Sequence, residues 1–284
     1  MEGQAAAPAA GTVLNALATG VGSAFAIDEY TTATVELSPD GDVTGRIAGA
    51  EDGDTRLVER CVELVVERYG DGEGGHVVTE SEVPMASGLK SSSAAANATV
   101  MATLDALGAT DEIDREAAAR IGVAAARDVG VTVTGAFDDA SASMLGGLTV
   151  TDNTDDELLA RETPEWDVVV WTPPEQSFSA DADVERCRRV APIAAVVEDL
   201  ALDGQYQRAM TINGLAFCAA LGFPTDPVLE AMGTTDGVSL SGTGPSFVAV
   251  GEREALEAVR EQWAQRAGRT WFTRTQTGGT LTDV

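Results

Sequence analysis

A single lysine, Lys90, stands inside Pro84-Met-Ala-Ser-Gly-Leu-Lys-Ser-Ser-Ser-Ala94, and the other seventeen basic residues of the 284-residue chain are arginines. The segment follows a predicted strand, His76 to Thr79, and enters an alanine-rich stretch, Ala94 to Leu107, that reads as a helix. A loop of small residues opening a helix aims several backbone N–H groups the same way, and the helix dipole adds partial positive charge there. Such a place binds an anion, usually a phosphate. It is not the G-x-x-x-x-G-K-[ST] loop, because Leu89 stands where that pattern needs glycine.

The positions of Pro84, Gly88, Leu89, Ser91, Ser92 and Ala94 make the segment similar to the P-x-x-x-G-L-x-S-S-x-A loop of the GHMP kinases. Galactokinase, homoserine kinase, mevalonate kinase and phosphomevalonate kinase belong to that superfamily. Gly135-Ala-Phe-Asp-Asp-Ala140, followed by Gly146-Gly147, resembles the segment carrying its catalytic aspartate. Ser241-Gly-Thr-Gly-Pro-Ser246 resembles its third motif, a glycine-rich turn that closes on the active site. A weaker match covers Asn15 to Asp28, with the glycine loop Thr19 to Ala24. Within the superfamily, S-G-L-K-S-S-S-A, T-G-A-F-D-D-A and S-G-T-G-P-S together resemble the archaeal-type shikimate kinases. Homoserine and mevalonate kinases usually carry glycine at the position of Lys90.

The resemblance implies an α+β, two-lobed GHMP kinase fold: a ribosomal protein S5 domain 2-like N-terminal lobe and a ferredoxin-like C-terminal lobe. The expected division is an ATP-binding domain over 1–152 and a C-terminal domain over 165–284. By the same resemblance ATP is held by Pro84, Met85, Ala86, Ser87, Gly88, Leu89, Lys90, Ser91, Ser92, Ser93 and Ala94, with Gly242, Thr243 and Gly244 from the third motif. Ser92 aligns with the serine that reaches Mg²⁺, and Asp138 with the aspartate that orients or deprotonates the acceptor hydroxyl. The acceptor implied is shikimate at its 3-hydroxyl. Homoserine, or a ligand-responsive regulator without turnover, remains an alternative. Lys90 either adds a point charge to phosphate or points outward, and Asp139 takes a supporting part. The acceptor's carboxylate calls for an arginine fork; Arg269 and Arg274 are candidates, but spacing selects none.

Periodicity adds detail. Thr32 to Leu37 alternates, Ser38-Pro-Asp-Gly41 turns the chain, and Asp42 to Ile47 returns, which predicts a β-hairpin. Thr55 to Tyr69 reads as an amphipathic helix stopped by Gly70, and Asp152 to Glu165 as an acidic linker. Asp114 to Val129 reads as a helix with Ala117, Ile121, Ala124 and Ala125 turned inward, which places Asp128 on the same face. Burying a carboxylate without a partner is expensive, so a metal ion would explain it. The family places an acidic Mg²⁺ ligand near this position. Helices over Val184 to Leu202, Tyr206 to Leu221, Pro227 to Met232 and Arg253 to Ala267, with strands between them, suit helices packed on a mostly antiparallel sheet.

Charge sets the outer limits. With 46 acidic against 18 basic residues the net charge is −28, which repels nucleic acid and anionic membranes. Hydrophobic residues make up 44% of the chain, enough for a folded core despite that charge. Near-absence of lysine beside so many carboxylates resembles haloarchaeal composition. Surface carboxylates repel one another in dilute buffer, whereas about 1 M salt shortens the screening length to about 3 Å. The protein is therefore expected to unfold or lose activity as KCl is dialysed away; an unfolding temperature unchanged in dilute buffer would refute this. Cys61, Cys187 and Cys218 are widely spaced, which suits free thiols in a reducing cytoplasm and excludes a C-x-x-C zinc site. One histidine, His76, leaves no material for a histidine triad. No apolar run approaches the roughly 18 residues a membrane helix needs. The expectation is a cytoplasmic monomer or homodimer whose partners are ATP and a small acceptor.

Overall fold

The computed structural model describes the whole chain except Asp40, residues 178–180 and Asp283. Strand β1 (Glu2–Leu14) pairs antiparallel along most of β2 (Val21–Ser38). The other edge of β2 is shared: β4 (Gly74–Ser81) takes Thr31 to Ser38, and β5 (Leu148–Asp152) takes Val21 to Phe25. With β3 (Val43–Ile47) and β6 (Glu157–Glu162) at its ends, this six-stranded sheet runs β3-β4-β2-β5-β6, and β1 lies off that path on β2.

Two expectations are corrected here. The segment after Leu37 does not return as a hairpin, since β3 runs parallel to β4, which lies between it and β2. Parallel neighbours need a long crossover, and α1 (Arg56–Tyr69) supplies it. The turn invoked for the hairpin includes Asp40, which lies outside the described residues. The acidic stretch after Asp152 is not only a linker, because it contains β6, antiparallel to β5. As a mostly exposed edge strand, β6 has little apolar face to show in its sequence.

Helices α2 (Ser91–Leu107), α3 (Arg115–Val129) and α4 (Phe137–Leu145) join α1 on one side of this sheet. Their shared core holds Ala5, Val35, Val65, Val100, Leu104, Ile121 and Phe137. β1 and α2 are rich in small residues because they lie backbone to backbone: a Cβ on Gly3 would overlap Ala102 O.

Beyond β6 the chain builds a second sheet from β7 (Asp167–Thr172), β8 (Gly237–Leu240), β9 (Phe247–Gly251) and β10 (Arg269–Arg274). Every pairing is antiparallel and the order is β10-β7-β9-β8. Helices α5 (Val184–Arg188), α6 (Ala191–Leu202), α7 (Tyr206–Leu221) and α8 (Asp226–Met232) fall between β7 and β8, and α9 (Arg253–Trp263) between β9 and β10. That succession is the βαββαβ pattern of ferredoxin-like folds, as expected. The two sheets are not independent: Ala9, Val13, Phe25 and Ile27 share one core with Val168, Val170, Met210 and Val248. The C-terminal tail also returns to the first sheet, where Thr275 bridges Ile27 and Leu281 bridges Ala6. All three cysteines are buried free thiols. Among the described residues no helix is long and apolar enough to cross a membrane.

Candidate active site

The loop between β4 and α2 is fixed by its carbonyl oxygens. Met85 O accepts from Gln176 Nε2, Ala86 O from Ser177 N, Ser87 O from Ser246 N, Gly88 O from Ser241 Oγ, and Leu89 O from Ala10 N. These bonds hold the loop in place, and the N–H groups in the first turn of α2 have no intrahelical acceptors. Gly88 has φ +82°, and an added Cβ would lie 2.7 Å from Gly244 O and closer still to Ser241 O. Lys90, at the N-cap of α2, also holds a left-handed backbone (φ 65°, ψ 27°). A side chain there is uncommon.

Opposite this loop stands the N-terminus of α4, which carries Asp138 and Asp139 in its first turn. Asp138 is 4% exposed. Asn153 grips it twice: Nδ2 donates to Asp138 Oδ1 at 2.7 Å, and Asn153 Oδ1 accepts from Asp138 N at 3.0 Å. The Thr151 hydroxyl in turn donates to Asn153 Oδ1 at 2.8 Å. On β2, Gly22 makes room for the carboxylate, since a Cβ there would lie 2.8 Å from Asp138 Cβ and nearer to its Oδ2. Asp139 faces Lys90, with Nζ 2.7 Å from Oδ1. Burial and the neighbouring Asp138 charge push the Asp139 carboxyl up to about 7, against the pull of Lys90. The loop before α4 is braced from behind by Arg127, whose guanidinium forks onto Asp156 and donates to Asn153 O.

The turn over 241–246 closes the third side. Ser241 N donates to Ser246 O, Gly242 N to Thr12 Oγ1 at 2.7 Å, and Asn15 Nδ2 to Gly242 O at 2.8 Å. Asn15 is itself held by Asn213 of α7. The end of β1, the turn and α7 are thereby joined through a buried polar network.

These walls enclose a cavity of about 890 Å³. Of the residues expected to bind nucleotide, Met85, Ala86, Gly88, Lys90, Ser91, Ser92, Ser93, Gly242 and Thr243 line it, as does Asp138. Pro84, Ser87, Leu89, Ala94 and Gly244 support those walls without lining them. Asp128 is not brought to the site. It is 49% exposed and its carboxylate bonds Arg60 of α1 at 2.9 Å, on the outer face of α3. The inward face of that helix is Ala118, Ala119, Ile121, Gly122, Val123 and Ala125, whereas Ala124, one turn before Asp128, is exposed. The buried stripe therefore excludes Ala124 and leaves Asp128 on the solvent side. Arg269 and Arg274 also lie elsewhere: Arg269 stacks on Trp271 and Arg274 pairs with Asp28. The glycine loop near the N-terminus is shorter than expected, because Val21 already begins β2. Asn15, Ala16 and Leu17 line the cavity in its place. No local pattern marks Asn153, which follows β5 and meets Asp138 only in three dimensions.

A family profile for the GHMP kinases N terminal domain matches residues 56–147. Shikimate kinase of Halobacterium salinarum is 63% identical over 283 residues, covering 99% of this chain and all of that protein. Shikimate kinase of Methanococcoides burtonii is 53% identical, covering 92% of this chain and 91% of that protein. Among solved structures, homoserine kinase from Cytophaga hutchinsonii superposes with a TM-score of 0.78 at 16% identity, over 99% of this chain and 96% of that one. A mevalonate kinase does so with a TM-score of 0.75 at 13% identity, over 98% and 99%. At such identities the superpositions speak for the fold alone, whereas the curated relatives match nearly end to end. The chain belongs to the GHMP kinase superfamily and, within it, to the archaeal shikimate kinases.

Proposed function

We propose that this protein transfers the γ-phosphoryl group of ATP to the 3-hydroxyl of shikimate, giving shikimate 3-phosphate and ADP. The observation that carries the chemistry is the placement of Asp138, buried and oriented by Asn153, across one cavity from the N-terminus of α2. In the reaction the acceptor oxygen forms a bond to γ-phosphorus, the bond from γ-phosphorus to the β,γ-bridging oxygen breaks, and the hydroxyl proton goes to Asp138. Phosphoryl transfer of this kind rests on positioning and charge stabilisation more than on covalent help from the protein.

Residues 1–152 supply the triphosphate cradle, and residues 165–284 complete it through the 241–246 turn. N–H groups of the loop and of the first turn of α2 hold phosphate oxygens, as helix N-termini do. The donor set fits a hard cation: Ser92 offers an exposed hydroxyl at that terminus, beside phosphate oxygens. Mg²⁺ prefers oxygen ligands, keeps several waters and is commonly held through substrate phosphates; when bound it neutralises charge on the β- and γ-phosphates. Asp128 has no part in this, since Arg60 occupies it on the surface.

The test is ADP release from Mg-ATP in high KCl with shikimate, homoserine and mevalonate supplied in parallel. Release that depends on shikimate is the expected result. Release with homoserine or mevalonate alone would keep the site and overturn the substrate, and ATP binding without turnover of any acceptor would favour a regulator.

A further inference from the structure

We propose that Lys90 is a positioning residue for the phosphoryl transfer proposed above, acting through Asp139 as the counter-charge of the Asp138–Asp139 pair rather than as a ligand of the triphosphate. Its ammonium lies 2.7 Å from Asp139 Oδ1, and the two side chains are only 7% and 16% exposed. Lys90 therefore reaches across the cavity wall, from the N-cap of α2 to the first turn of α4. The ammonium is also lodged against the third motif, where a Cβ on Gly242 would lie 3.0 Å from Nζ. Three segments that frame the site thus converge on one cation.

Charge explains why it is needed. Two consecutive carboxylates, one of them 4% exposed, face a space that must admit a polyanionic nucleotide. Like charges held together in a poorly solvated place repel each other and any incoming phosphate, and a fixed cation offsets both. Among the described residues the other cation lining the cavity is Arg56, which is bound to Asp54 and 64% exposed. Lys90 is left as the buried counter-charge. It holds this place from a left-handed backbone, a conformation a side chain disfavours. The pair also ties together two helix N-termini, one facing the phosphates and the other carrying Asp138, and so sets the distance from phosphoryl group to base.

Breaking a buried ion pair at one end leaves a stranded charge, whereas neutralising both ends costs far less. A phosphate ligand has no such symmetry. Lys90→Met is therefore expected to lower kcat roughly 100-fold, with KM for ATP changed less than about 3-fold. Lys90→Met combined with Asp139→Asn is expected to recover kcat to within about 10-fold of wild type. The overturning result is the reverse split: KM for ATP raised about 30-fold or more in Lys90→Met, with no recovery in the double variant. Thermal unfolding in high KCl accompanies each variant. Should Lys90→Met fail to fold, the double variant decides alone: folded with near-normal kcat it supports the pair, and unfolded or weak in ATP binding it overturns it. Calorimetric ATP affinity needs no acceptor. If wild type is silent with shikimate, the functional reading fails, while unchanged ATP affinity in the double variant still supports the pair and a large loss overturns it.

Discussion

Asp138→Asn is expected to lower kcat with shikimate by about 10³-fold while leaving ATP affinity within about 3-fold of wild type. General-base contributions commonly span about 10² to 10⁴, and 10³ corresponds to about 4 kcal/mol of lost transition-state stabilisation. The substitution is nearly isosteric, and its amide oxygen still accepts from Asn153 Nδ2, so the local structure has no reason to collapse. What it loses is the ability to take the proton. Removing a carboxylate beside Asp139 also relieves repulsion, because the Asp138 charge is one of the causes that raise the Asp139 carboxyl. Stability should therefore hold or rise slightly. Steady-state kinetics at saturating Mg-ATP in high KCl, with calorimetry for ATP, checks both halves. Near-normal turnover would refute the base assignment, and loss of ATP binding would mean that Asp138 belongs to the nucleotide's own site.

Motif wording and apolar periodicity account for what was legible in the sequence. The phosphate loop, the Asp138 segment and the 241–246 turn are each continuous in the chain, so their residues are legible without their geometry. Helices such as Tyr206–Leu221 show clear apolar patterning with a glycine after the last turn, which makes their bounds legible. Failures have physical causes. β1 is nearly all buried and consists largely of alanine, glycine and proline, so no alternation marks it as a strand. The expected hairpin does not form because a strand's partner depends on what intervenes in space, and β4, which follows α1, lies between β3 and β2. Asp128 lies on the outer face of α3, a side the sequence hides because a small exposed alanine such as Ala124 looks like a buried one in a helical stripe. Asn153 and the Lys90–Asp139 contact join residues far apart in sequence, and no local pattern encodes them.

Gly88→Ala is expected to abolish tight ATP binding and to lower the unfolding temperature by roughly 10 °C, at about 2–4 °C per kcal/mol for a chain of this size. Gly108→Ala supplies the control. Gly88 and Gly108 hold similar left-handed backbones, φ +82° and +69°, so the same methyl meets the same intrinsic penalty, about 1–2 kcal/mol. Their surroundings differ completely. A Cβ on Gly108 meets nothing within 4 Å, whereas one on Gly88 drives into the carbonyl oxygens of Ser241 and Gly244. Those oxygens cannot retreat cheaply, because the turn is bonded to Thr12, Asn15 and the Ser87 carbonyl. The loop must move instead, and with it the N–H groups at the start of α2. Gly108→Ala should cost only a few degrees and leave ATP affinity unchanged. Equal losses in both variants, read by thermal unfolding and calorimetry in high KCl, would mean that backbone strain alone sets the cost. A larger loss at Gly88 would locate it in the close seating of the phosphate loop against the 241–246 turn.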